Sequence, residues 1–439
     1  MDDKQQTQEA KREVRRKRRI RNQILAYMVL IVLILAAAAG VVAAVQFLTT
    51  ESRREQEKQD ENQNKIDEML GDEGEVERPT PTPEPPVELT QEQKLDEIIN
   101  AGIEVMPLED KVAGLFIVTP EAITGVGTAI RAGEGTKDAL AQYAVGGLVY
   151  FSKNIQSEEQ IKEMLNNSQF YARYELFLAV DEEGGSVARV AGAGIGTAVD
   201  GAQAIGATGD SNNAYNAGVT IGSTLSGLGF NLDFAPVADI ASVENSVMAG
   251  RAYGLDAQTT IPFVTAMMQG LQEQNVTACL KHFPGNGATI QDAHTGIAVS
   301  NRTAEEFRAE ELTVFQAGID AGANMIMVSH MAVPALTGDN TPCSLSKTVV
   351  TNILRREMGF DGVIITDALN MSAISDYKSS DEAAIDALKA GCDMLLMPED
   401  FEEAYNGVLQ AVRDGVISEE RINDSLRRIY RIKWADRLE

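Results

Sequence analysis

Eight short apolar runs constrain the fold of this chain more than any other feature. They are LFIV (115–118), GLVYF (147–151), LFLAV (176–180), NLDFAPV (231–237), TACLKHF (277–283), MIMVSH (325–330), GVIITD (362–367) and DMLLMP (393–398). Amphipathic segments separate most of them, among them SEEQIKEMLNNSQFYAR, QTTIPFVTAMMQGLQEQ, AEEFRAEELTVFQAGIDAG and SKTVVTNILRREMG. Eight parallel strands alternating with helices fit an α/β architecture closed as a single (β/α)8 TIM-type barrel. A doubly wound sheet would want a Gly-rich phosphate loop after an early strand, and none stands there. The globular part is expected to open at Thr90, where Thr90 and Gln93 spell a capping box. It is expected to close with a final helix over SEERINDSLRRIYRIKWADRL.

What precedes the barrel is organised differently. Residues 1–23 hold nine Lys or Arg against four acidic residues, although the whole chain carries a formal charge of −27. Residues 24–45 then run for 22 positions without a charge, enough at about 1.5 Å per residue to span a bilayer core of about 30 Å. The basic flank predicts a cytoplasmic tail (1–23), a transmembrane signal anchor (24–45) and an extracytoplasmic remainder. A cleaved signal peptide is the alternative, with Ala43 and Ala44 near a cut. Residues 46–89 are polar and then proline-rich (RPTPTPEPPVEL), which predicts an extended linker ahead of a catalytic domain over 90–439. The acidic remainder argues against a nucleic-acid partner. Cys279, Cys343 and Cys392 make an odd count and are read as free thiols, two of them beside strand-like runs.

In such barrels function gathers where the strands end, because the loops there converge on one mouth. LFLAV ends in Asp181, TACL in Lys281 and His282, MIMVS in His330, and GVIIT in Asp367. The chain has only three histidines. The third, His294, lies in a Gly-rich loop two residues after Asp292, where a carboxylate could orient one ring nitrogen and leave the other for a substrate. Neither an H-x-H pair nor a His-rich cluster is present, so no metal or other cofactor is expected.

The segment KHFPGNGATIQDAH resembles the KHFPGHG-D-T-x-x-D-S-H stretch of glycoside hydrolase family 3, in its β-N-acetylglucosaminidase branch. GVIITDALNM resembles that family's nucleophile strand, and the likeness extends over about residues 95 to 435. The resemblance implies that Asp367 attacks the anomeric carbon while Asp292 and His294 supply acid/base catalysis. DEEGGSVAR resembles the family's D-x-E-G-G-x-V-x-R, and AGRAYG carries Arg251 where the family has a sugar-binding arginine. Asp181, Arg189, Arg251, Lys281 and His282 are thereby implied to bind substrate. Asn286 and Ala288 stand where the family has a histidine and an aspartate, which implies an altered loop. The implied activity is a retaining exo-β-N-acetylglucosaminidase acting on amino-sugar glycans such as peptidoglycan fragments. The alternatives are phosphorolysis, β-glucosidase or β-xylosidase action on the same scaffold, and a non-catalytic wall-binding protein.

Overall fold

A computed structural model of the chain describes residues 89–291 and 296–435. The expected tail and anchor, and the linker up to residue 88, lie outside these. Among the described residues no helix is long and apolar enough to cross a membrane. Residues from Glu88 onward form one compact unit. It opens with helix Gln91–Glu104, started by the expected capping box: Gln93 N donates to Thr90 Oγ1 (3.2 Å) and Thr90 N to Gln93 Oε1 (2.9 Å).

Each of the eight apolar runs becomes a strand. The barrel strands are β1 (Phe116–Val118), β2 (Gly147–Val149), β3 (Phe177–Val180), β6 (Leu232–Asp233), β7 (Thr277–Phe283), β8 (Met325–Val328), β9 (Val363–Thr366) and β10 (Leu395–Leu396). A small antiparallel hairpin, β4 (Glu182–Gly184) with β5 (Val187–Ala188), is inserted after β3. Every barrel strand pairs in parallel with its predecessor, β10 pairs with β1, and an Ile365–Met394 bridge joins β9 to β10. The cylinder is therefore closed and exposes no sheet edge.

Strand residues are almost all buried, as side chains must be when helices cover one face and a packed interior fills the other. The amphipathic segments supply that cover, for example Glu158–Tyr171 and Ala257–Gln272. One differs from expectation. AEEFRAEELTVFQAGIDAG forms two helices, Ala304–Ala309 and Glu311–Asp320, because the backbone turns at Glu310 (φ −118°, ψ −82°). The break lets Glu310 accept from Ala257 N while Glu311 points inward to Ser242. All three cysteines are free and buried, as expected.

The N-terminal face of the barrel is sealed by helix Glu419–Lys433. Its Lys433 ammonium donates to the carbonyls of Gly146 (2.7 Å) and Glu175 (2.6 Å), just ahead of β2 and β3. Near the start of β10, the buried Asp393 accepts from Ser425, Arg428 and Arg355. Helix Gln91–Glu104 packs on this plug through a bidentate Arg431–Asp96 pair.

Candidate active site

With the N-terminal face closed, the open end of the barrel is the C-terminal one, where a cavity of about 330 Å³ sinks between the loops. Four strand ends furnish its chemistry. The end of β3 contributes Asp181, and the hairpin after it Glu183 and Arg189. The loop after β6 contributes Arg251, β7 itself Lys281 and His282, and the end of β9 Asp367. The six residues outside the 292–295 segment to which the resemblance gives a role thus share one cavity, which His330 does not line. Asp292 and His294 lie outside the described residues.

The cations and carboxylates are organised around a residue the sequence reading did not single out. Glu183 is buried and bridges two positive groups: its Oε1 accepts from Lys281 Nζ (2.6 Å) and Arg251 NH2 (2.6 Å), and its Oε2 from Arg251 Nε (2.8 Å). Lys281 Nζ also donates to Asp181 Oδ1 (2.7 Å). Burial alone would raise the Glu183 carboxyl, but the Lys281 and Arg251 charges outweigh it and hold it down at about 2. Burial likewise opposes the Lys281 charge, and Asp181 with Glu183 more than restores it, so the ammonium is a permanent cation. These side chains are locked in one geometry before any ligand arrives.

A second missed carboxylate, Asp239, fixes His282. Asp239 Oδ2 lies 2.6 Å from His282 Nδ1, while its Oδ1 accepts from His282 N (3.3 Å) and Asn286 N (2.6 Å). Such a partner places the proton on Nδ1 and leaves Nε2 for the cavity. Asp239 stands two residues past the run NLDFAPV; a carboxylate shortly after a strand-like run was its only sequence signal. Arg189 differs from the other cations. No carboxylate among the described residues pairs with it, its Nε is buried without a partner, and its guanidinium stands 5.9 Å from the centre of the Phe151 ring. It keeps its donors for a ligand. The hairpin that delivers Arg189 is stapled by Glu182, which accepts from Val190 N (2.7 Å) and Ala191 N (3.0 Å).

Asp367 ends β9, its N–H donating to Val328 O (2.8 Å) and its Oδ1 accepting from Ala368 N (2.8 Å). Burial pushes its carboxyl upward, yet the imidazoles of His282 and His330, the Ala368 N–H and the Lys281 charge together keep it below the usual carboxylate range. It is ionised and faces the cavity, and among the described residues no ion pair takes it up. His330 does not line the cavity. It is fully buried, its Nε2–H donating to Ala368 O (2.9 Å) and its Nδ1 lying 2.7 Å from Ser344 Oγ. Burial lowers its basicity, and with both nitrogens engaged it braces the turn that carries Asp367.

The lining also has an apolar part, with Val149, Met327, Leu396, Met371 and Met397. A lining that joins fixed charges with apolar side chains suits a ligand bearing both hydroxyls and hydrocarbon. Asp181 and Glu183 are already neutralised by Lys281 and Arg251. No group of three or more potential metal ligands occurs among the described residues.

Comparison with known proteins shows what the chain as a whole is similar to. The family described as "Glycosyl hydrolase family 3 N terminal domain" matches residues 107–432. The chain is 31% identical over 325 residues to "Beta-hexosaminidase A" of Pseudoalteromonas piscicida, covering 67% of this chain and 54% of that protein. Among solved structures it is similar to a glycoside hydrolase family 3 β-N-acetylglucosaminidase from Paenibacillus sp. str. FPU-7, with 33% identity and a TM-score of 0.72 over 76% of this chain and 63% of the other. It is also similar to "Beta-glucoside phosphorylase BglX" bound to 2FGlc, with 25% identity and a TM-score of 0.70 over 79% of this chain and 62% of the other. The chain thus spans somewhat over half the length of these three proteins.

Proposed function

The chain belongs to glycosyl hydrolase family 3, and on that premise we propose that it is a retaining exo-β-N-acetylglucosaminidase with Asp367 as nucleophile. The carrying observation is the ionised Asp367 carboxylate, without an ion-pair partner among the described residues, facing a small cavity walled by Arg189, Arg251, Lys281 and His282. The cavity, about 330 Å³, lies at the small end of ligand pockets (~300–1,000 Å³), which suits one terminal sugar ring.

In this reading Asp367 attacks the anomeric carbon as the bond to the aglycone oxygen breaks, and His294 donates a proton to that oxygen. A glycosyl-Asp ester results. His294 then takes a proton from water, whose oxygen attacks the same carbon and releases Asp367, so two inversions give net retention. Asp292 holds the imidazole and favours its charged form. Arg189, Arg251, Lys281, His282 and Asp181 grip the sugar hydroxyls through charge-assisted hydrogen bonds. The predicted anchor at 24–45 argues for an extracytoplasmic, membrane-held enzyme and hence for peptidoglycan fragments or related amino-sugar glycans as substrate.

The test compares chromogenic β-N-acetylglucosaminide with β-glucoside and β-xyloside, with and without phosphate. Fast turnover of the first alone, indifferent to phosphate and abolished by Asp367→Asn, is the expected result. Full activity of Asp367→Asn would refute the assignment. Phosphorolysis is the second reading, favoured by Arg189, whose unpaired charge could serve an anion; release of sugar 1-phosphate would select it.

A further inference from the structure

Among the described residues, three that are not glycine hold a positive φ: Asn245, Asn275 and Met397. Asparagine visits this left-handed region readily, whereas methionine enters it at a cost, and a residue ahead of proline is steered toward extended backbone besides. Met397 (φ +46°) precedes Pro398 and departs from both preferences. The surrounding fold imposes this. Met397 N donates to Ile117 O (2.9 Å) and Met397 O accepts from Asn370 N (3.0 Å), while Leu369 N donates to Leu396 O (2.8 Å). The end of β10 is thereby tied both to β1 and to the turn that carries Asp367. Strain kept at a site points to a use for the side chain it places there, and Met397 lines the cavity together with Asp367.

Its neighbour in the lining shares its character. Met371 N donates to Ala368 O (3.1 Å), and Ala368 N donates to Asp367 Oδ1, so this second methionine stands on the nucleophile's own turn. The charged lining comes from β3 with its hairpin, the loop after β6, and β7. In the closed strand order β10 stands four strands from β6 in either direction, directly across the barrel. A sugar whose anomeric carbon meets Asp367 has C2 as its next ring carbon. In an N-acetylglucosamine unit the acetyl methyl on C2 is the one apolar substituent, whereas C3, C4 and C6 carry hydroxyls. Resting on the glycosidase reading above, we infer that Met397, with Met371, forms the surface that receives the C2 acyl group, and that Met397 sets the acyl length accepted. The hydroxyls then meet the charges across the barrel. An unbranched thioether suits this task, because it adapts to a small group of irregular outline.

The experiment uses the full-length chain and three chromogenic β-glucosaminides that share one phenol and differ only in the C2 group: N-acetyl, N-propionyl and N-butanoyl. One methylene more or less against an apolar pocket changes kcat/KM by roughly 10–200-fold, so wild type should favour N-acetyl. Met397→Gly accepts the positive φ without a Cβ and opens space beside C2. Its ratio of kcat/KM on N-butanoyl to that on N-acetyl should rise about tenfold or more above wild type. Met397→Ala keeps the native Cβ and gives the same reading should the glycine variant not fold. Met397→Leu, close to methionine in volume, should keep the wild-type preference. A wild type indifferent to acyl length overturns the inference. So does an equal loss on all three substrates in the truncated variants, which marks mere loss of structure, and so does an equal rise of the ratio in Met397→Leu. If wild type turns over N-acetylglucosaminide and Asp367→Asn does not, these failures sink the inference alone. If wild type turns over none of the three, the glycosidase reading falls and takes the inference with it.

Discussion

Glu183 shows how a single side chain organises the mouth. It receives both Arg251 and Lys281 and is itself buried, so losing its charge leaves two cations with only Asp181 between them. Breaking a buried pair in this way costs about 3–5 kcal/mol, and Glu183→Gln should lower stability at neutral pH toward that range. The pH dependence follows from the folded value of about 2, which lies below that of the unfolded chain. The stabilisation is complete above the unfolded value of about 4.3 and fades as pH falls toward the folded one. Urea unfolding should therefore show the gap between wild type and Glu183→Gln closing as pH drops from about 6 to about 3. A gap independent of pH would mean that the charge of Glu183 does not hold the site. His330 works in the same acid direction, since burial lowers its basicity and stability must fall once the unfolded chain starts to protonate it, below about pH 6.5.

At the level of elements, the loops after β6 and β7 act as one piece because a glycine lets them touch. A Cβ built on Gly287 would stand 1.7 Å from the carbonyl oxygen of Ile240. Gly287→Ala must push the β7 loop outward, costing typically 1–3 kcal/mol or more in stability and shifting the neighbouring Asn286, which lines the cavity. The expected outcome is at least a tenfold loss of activity in protein that remains folded by circular dichroism, in keeping with the large rate cost of small misplacements. Wild-type rates in this variant would show that the contact is dispensable. The same elements explain what could be read in advance. All eight strands stood out as apolar runs, and Asp181, Lys281, His282 and Asp367 were legible because a strand end fixes where its next residue points. Glu183 and Asp239 were not, since their importance lies in partners 68 and 43 residues away in sequence, Arg251 and His282. Nor was the break at Glu310 visible, because AEEFRAEELTVFQAGIDAG keeps helical periodicity across it. His330, at a strand end like the others, turned out to brace the backbone because Ser344 and Ala368 O occupy both its nitrogens.

For the whole molecule, the compact unit from Glu88 onward contains the entire cavity together with both helices that seal the opposite face. A fragment beginning at residue 88 is expected to fold and to hydrolyse a small chromogenic substrate at the rate of the full chain. Insolubility or loss of turnover in a well-expressed fragment would show that residues 1–87 are needed by the barrel. The plug on the N-terminal face has one further consequence. Helix Gln91–Glu104, where the chain enters the fold, lies on that plug through Asp96 and Arg431, behind the barrel and away from the mouth. In a fragment that starts here, a resin or a fused partner joined at this point is joined at the back. An enzyme immobilised there keeps its opening clear, whereas one coupled through a loop of the mouth would be smothered by its own support.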